Sequence, residues 1–112
     1  MSTKICVIGA GYWGKNHIKT LSKLNSLRGI VEIKSNVLNF ILDKYPEIKI
    51  HSDIQSALLE DYDGFVIATP AKTHFGIAKT LIKKQKNLLI EKPMTLSVKE
   101  AEELVDLVYK NK

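Results

Sequence analysis

Three glycines in Gly9-Ala10-Gly11-Tyr12-Trp13-Gly14 are spaced to hold a phosphate group. In a G-x-G-x-x-G turn the first glycine allows a tight bend and the second lets the backbone approach a pyrophosphate. The third lets the following helix pack close to the sheet. That helix's N-terminus then offers free N–H groups and a partial positive charge. The same string also occurs in plain tight turns, so its context decides. Glu32 lies eighteen residues beyond Gly14, where a carboxylate can accept hydrogen bonds from both adenosine ribose hydroxyls and repel a 2′-phosphate. The pair points to NAD over NADP, a preference that Lys34 blurs; the alternative for Glu32 is a solvent-facing strand end. Tyr12 and Trp13 fall inside the turn, so they either approach the cofactor or pack against the sheet edge.

The surrounding elements agree with a dinucleotide turn. Lys4–Ile8 reads as a short buried strand stopped by Gly9, and a helix starts near Gly11–Trp13 with Ile18, Leu21 and Leu24 on one face. Asn25 and Ser26 end it. Gly29–Ile33 is the second strand, placing Glu32 at its end. Ser35 or Asn36 caps the next helix, which Pro46 stops. Ile48–His51 is a third strand, and Asp53 caps a brief helix ending near Leu59–Glu60. The uniformly apolar Gly64–Ala68 reads as a strand covered on both faces. Thr73 opens a helix carrying Ile77, Ala78, Leu81 and Ile82, and Asn87–Ile90 is the fifth strand. Ser97-Val98-Lys99-Glu100 is a capping box before a stripe of Ala101, Leu104, Val105 and Val108.

Five strands alternating with helices predict an α/β fold. The expected architecture is a Rossmann-type, doubly wound parallel sheet in the order 3-2-1-4-5, with helices on both faces and a crevice between strands 1 and 4.

Composition narrows the function classes. The 112 residues suffice for one compact domain. The net charge of +5 comes almost wholly from scattered lysines, with Arg28 the only arginine. Neither arginine forks nor aromatic platforms accompany them, so no nucleic acid is expected as a partner. No apolar run approaches the roughly 20 residues that span a bilayer, so no membrane partner is expected. Cys6, the sole cysteine, sits between Ile5 and Val7 as a core residue, which suits the cytoplasm. No His, Cys or carboxylate cluster has metal-ligand spacing, so no metal is expected.

Two later segments exceed a generic dinucleotide fold: Ala68-Thr69-Pro70-Ala71-Lys72-Thr73-His74 after strand 4, and Glu91-Lys92-Pro93 after strand 5. With the glycine turn they resemble the glucose–fructose oxidoreductase / inositol dehydrogenase (Gfo/Idh/MocA) family over essentially the whole chain. The wording Gly11-Tyr12-Trp13-Gly14-Lys15-Asn16-His17 is similar to members acting on nucleotide-linked sugars. The resemblance implies that Thr69 and Pro70 line the nicotinamide half of the crevice, with His74 beside them. Glu91 and Lys92 would lie under the nicotinamide, and Pro93 would fix their loop through a cis peptide bond. Lys92 would be the catalytic group, a partly buried ammonium beside a carboxylate that stabilises charge on the substrate oxygen during hydride transfer.

Other readings of the histidines stay open. His74 could cap its helix or bond a backbone carbonyl, and His17 and His51 read as structural or exposed. The resemblance also implies a second, substrate-binding domain not represented in these 112 residues, so the chain is expected to bind NAD(H) yet turn over a sugar-like substrate poorly by itself. Strand 5 would present a bare edge through which the chain could form a homo-oligomer. The leading expectation is an NAD-dependent oxidoreductase domain; the alternative is a non-catalytic NAD(H)-binding module that senses redox state or regulates a partner.

Overall fold

In the computed structural model, which describes residues 3–111, the first apolar run becomes β1 (Ile5–Ile8), the centre of the sheet. It pairs in parallel with β2 (Leu27–Val31) on one side and β4 (Gly64–Ile67) on the other. β3 (Lys49–His51) extends the sheet beyond β2, and β5 (Asn87–Ile90) extends it beyond β4. The order is β3-β2-β1-β4-β5, all parallel, which leaves β3 and β5 at the edges.

Alternation along each strand divides the core between the two faces of the sheet. Val7, Ile30 and Val66 face one way, under Ile18 of α1 (Tyr12–Lys23) and Ile41 of α2 (Ser35–Lys44). Cys6, Ile8, Phe65 and Ile67 face the other. They are covered by Ala57 of α3 (Ile54–Leu58), by Ala78, Leu81 and Ile82 of α4 (His74–Lys83), and by Leu104 of α5 (Val98–Lys110). A short 3-10 turn at Ala71–Thr73 leads into α4, so the α-helix proper starts one residue after the expected Thr73.

Several boundaries differ from the sequence pattern, each for a local reason. β2 spans Leu27–Val31, not Gly29–Ile33: Leu27 is buried opposite Ile5, whereas Ile33 stands 79% exposed. Glu32 therefore lies just past the strand, in the bend that leaves the sheet. Neither Ser35 nor Asn36 caps α2; Lys34 occupies the N-cap without a side-chain bond. β3 starts at Lys49 because the N–H of Ile48 donates back to the Tyr45 carbonyl in a turn after α2.

Asp53 does cap α3, accepting from the Ser56 N–H. Ser97 caps α5 through Glu100, but the Glu100 carboxylate accepts from Leu96 instead of completing the box at Ser97. Asn25 ends the turn after α1 in the left-handed region (φ 58°), a conformation asparagine adopts more readily than most residues.

Candidate cofactor and active site

Strand order reverses between β1 and β4, so the connections leaving β1 and β4 diverge and open a crevice at the strands' C-terminal ends. The glycine turn forms one wall. Gly9 has φ +97° and its N–H donates to the Val31 carbonyl. A Cβ there would stand 2.9 Å from Thr69 Cγ2, so this turn and the β4 loop are in close contact. At Gly14 a Cβ would fall 1.9 Å from the Gly9 carbonyl oxygen, so the first turn of α1 presses directly on the bend. Gly11 is the opposite case: nothing lies within 4 Å of its would-be Cβ. It is the N-cap of α1, and neither a side-chain cap nor an acidic residue occupies that helix's first turn. An open backbone at an uncapped helix N-terminus fits a pyrophosphate.

Glu32 ties this turn to β2. Its Oε1 accepts from the Ala10 N–H at 2.8 Å, and its Oε2 accepts from Ile33 at 2.9 Å and Lys34 at 3.1 Å. The carboxylate is thus oriented by backbone alone, beside the glycine turn. Tyr12 and Trp13 do not pack on the sheet edge. They stand 80% and 57% exposed in an edge-to-face pair 5.5 Å apart at the start of α1.

The β4 loop supplies the facing wall. Thr69 and Thr73 share a hydrogen bond of 2.6 Å between their hydroxyls, and Thr73 donates to the Pro70 carbonyl at 2.7 Å. His74, for which cofactor contact and a bond to a backbone carbonyl were both open, is enclosed at 1% exposure and makes the carbonyl bonds. Its Nε2 lies 2.8 Å from the Thr69 carbonyl and its Nδ1 2.9 Å from the Pro93 carbonyl. An imidazole donates to two such oxygens together only when doubly protonated, and to one of them when neutral. Both ring nitrogens are committed to backbone, so the ring joins two loops.

Glu91 and Lys92 leave the end of β5, followed by a cis Lys92–Pro93 bond. The Glu91 N–H donates to the Ile67 carbonyl, which continues the β4 pairing by one residue. The expectation of a partly buried ammonium beside a carboxylate needs correction: Lys92 is exposed. Glu91 faces His17 of α1, with Oε2 3.4 Å from Nε2. Successive side chains on an extended segment point to opposite sides, so Glu91 turns in toward α1 while Lys92 turns out.

His17, read from the sequence as structural or exposed, stands at the crevice against Glu91. The usable signal was its spacing: three residues after Gly14 it shares the helix face that presses on the glycine turn. The other histidine, His51, belongs to structure, with Nε2 2.7 Å from the Tyr62 hydroxyl and Nδ1 2.9 Å from the Ser56 hydroxyl.

Two grooves of about 520 and 330 Å³ lie away from this crevice, where β5 meets α5 around Ile82, Leu88 and Val108. Neither the glycine turn nor Lys92 lines them. The converging loops and these two grooves are thus separate parts of the surface. Among the described residues, no group of three or more His, Cys, Asp or Glu could hold a metal ion, and no helix is long and apolar enough to cross a membrane.

The family model for the Gfo/Idh/MocA oxidoreductases, NAD-binding Rossmann fold, matches residues 3–112. Among curated relatives, a UDP-N-acetylglucosamine 3-dehydrogenase of Acidithiobacillus ferrooxidans is 28% identical over 106 residues, covering 90% of this chain and 32% of its own length. An inositol 2-dehydrogenase of Mycolicibacterium smegmatis is 32% identical over 111 residues, covering 91% of this chain and 31% of its own. The crystal structure of GenD2 from gentamicin A biosynthesis, in complex with NAD, superposes with a TM-score of 0.89 at 27% identity, covering 98% of this chain and 32% of that one. The chain thus spans about a third of the length of the relatives it matches.

Proposed function

This chain belongs to the Gfo/Idh/MocA oxidoreductase family, and from that premise we propose that it acts as the cofactor-binding domain for hydride transfer at a hydroxyl or ketone of a sugar or nucleotide-linked sugar. NAD is the cofactor. The observation that carries this reading is the Glu32–Ala10 hydrogen bond, which holds a carboxylate beside the open backbone at Gly11.

Each residue has a stated task in this reading. The N–H groups at the start of α1 receive the pyrophosphate, and Gly11 leaves it room. Glu32 accepts from the adenosine ribose hydroxyls and disfavours a 2′-phosphate. Tyr12 and Trp13 flank the pyrophosphate, and Thr69 and Pro70 border the nicotinamide half. NAD held by these residues would supply the hydride-transfer chemistry. Lys92 donates a hydrogen bond to the substrate oxygen that changes oxidation state and stabilises charge developing there. Its ammonium is exposed and therefore free to meet a substrate. Dehydrogenase relatives named for a UDP-linked sugar and for inositol support the substrate class. A pure redox sensor needs only the glycine turn and Glu32, so Lys92 favours the enzymatic reading over a non-catalytic NAD(H)-binding module. The buried thiol of Cys6 suits a reducing cytoplasm.

Trp13, the only tryptophan, reports directly on the turn. Titration with NADH should give a saturable quench or energy transfer, with a weaker response to NADPH. A folded chain that responds to neither overturns the cofactor assignment; equal responses overturn the role of Glu32.

A further inference from the structure

Lys92 is exposed, and residues 91–97 contain no helix or strand, so its aim depends on whatever holds its neighbours. Both flanking residues face histidines, and from opposite walls. Ahead of Lys92, Glu91 presents its carboxylate to His17 Nε2 at 3.4 Å. That nitrogen is shielded from solvent and has no hydrogen-bond partner, and an orphaned buried polar atom is costly. The neighbouring carboxylate is the group that can satisfy it. Behind Lys92, the Pro93 carbonyl faces His74 Nδ1 at 2.9 Å, and the same ring reaches the Thr69 carbonyl at 2.8 Å.

From this geometry we infer that His17 and His74 are positioning residues that brace the Glu91-Lys92-Pro93 segment from both sides and so set where the Lys92 ammonium stands. The proposal rests on the reading of Lys92 as the group that meets substrate. The two braces differ in kind. His74 is enclosed and joins two loop backbones, so it fixes the segment to the β4 loop. His17 acts through a side-chain carboxylate and links the segment to α1, whose first turn presses on the glycine bend.

The test is amide hydrogen exchange of the whole chain without cofactor, read at the Glu91 amide, which donates to the Ile67 carbonyl. His17→Leu removes the imidazole that faces the Glu91 carboxylate, and protection of the Glu91 amide should fall about tenfold. Amides in β2 and β3 should be unchanged. His17→Gln keeps an N–H near the position of Nε2 and should restore most of the protection, which mere helix packing would not require. Glu91→Ala reaches the same contact from the other side and serves if His17→Leu fails to fold. The double variant should lose no more than either single one. Unchanged protection in both single variants, equal loss in His17→Leu and His17→Gln, or additive losses would each overturn the brace. NADH titration of the unaltered chain judges the cofactor reading separately, since the exchange measurement contains no cofactor.

Discussion

A methyl group at Gly14 should cost the fold much more than one at Gly11, although both glycines belong to the same turn. At Gly14 the added carbon would lie 1.9 Å from the Gly9 carbonyl oxygen and 2.7 Å from its carbonyl carbon. Ordinary contact begins near 3.4 Å, so helix and bend must part by about 1.5 Å. Both partners are backbone, and no rotamer change relieves them. Gly9 cannot retreat, because its N–H is held by Val31 and Ala68 and Thr69 stand close behind it.

Instead α1 must lift, drawing the fully buried Ile18 away from Val7 and Ile30. Overpacking of a core typically costs about 1–3 kcal/mol, and a contact between two rigid backbones belongs at the upper end. For a domain near this size, about 3 kcal/mol lowers the melting temperature by roughly 10–15 °C. Gly11→Ala meets nothing within 4 Å and has an ordinary φ of −76°, so its stability should stay within about 0.5 kcal/mol of the parent. Its methyl group enters the space left for the pyrophosphate, so NADH affinity should fall by about tenfold or more. Thermal unfolding by circular dichroism and a Trp13 titration separate the two effects. A Gly14→Ala variant melting within about 2 °C of the parent would refute the packing argument, and unweakened NADH binding by Gly11→Ala would refute the assignment of the phosphate site.

Three other consequences are open to measurement. Glu32→Ala removes the acceptor for the Ala10, Ile33 and Lys34 amides; it should cost about 1 kcal/mol of stability and narrow the preference for NADH over NADPH, and an unchanged cofactor ratio would count against the ribose assignment. Burial pushes the Cys6 thiol up to about 12, so a disulfide reagent at neutral pH should label it only as fast as the protein unfolds; rapid labelling under native conditions would contradict that burial. Burial, ahead of the neighbouring charges, lowers the His51 pKa, so the native state favours the neutral ring. The stabilisation is complete above the unfolded value of about 6.5 and is lost as pH falls from there toward and through the lowered native value. His51→Gln should flatten the acid limb of the stability profile measured by urea unfolding, and parallel acid limbs would refute the linkage.

Which elements form, and in what order they pair, was legible in the amino-acid sequence. Short apolar runs such as Cys6–Ile8 and Phe65–Ile67 alternate with helical stripes such as Ala78, Leu81 and Ile82, and parallel pairing needs crossovers of that length. The glycine spacing was equally plain, because a tight bend and a close helix are backbone requirements that glycine meets locally. Boundaries were less legible: Ile33 continues an apolar run, yet the chain has already turned away there, drawn by the Glu32 bonds to Ala10, Ile33 and Lys34.

The pairings across the crevice belonged to tertiary structure alone. No local pattern couples His17 to Glu91, seventy-four residues apart, or directs both nitrogens of His74 to carbonyls on separate loops. Nor does composition reveal that Lys92 faces out while its neighbour faces in. Secondary structure follows from steric and hydrogen-bonding preferences within a few residues of each position. Contacts between loops depend on sheet register and helix packing, which exist only once distant segments have come together.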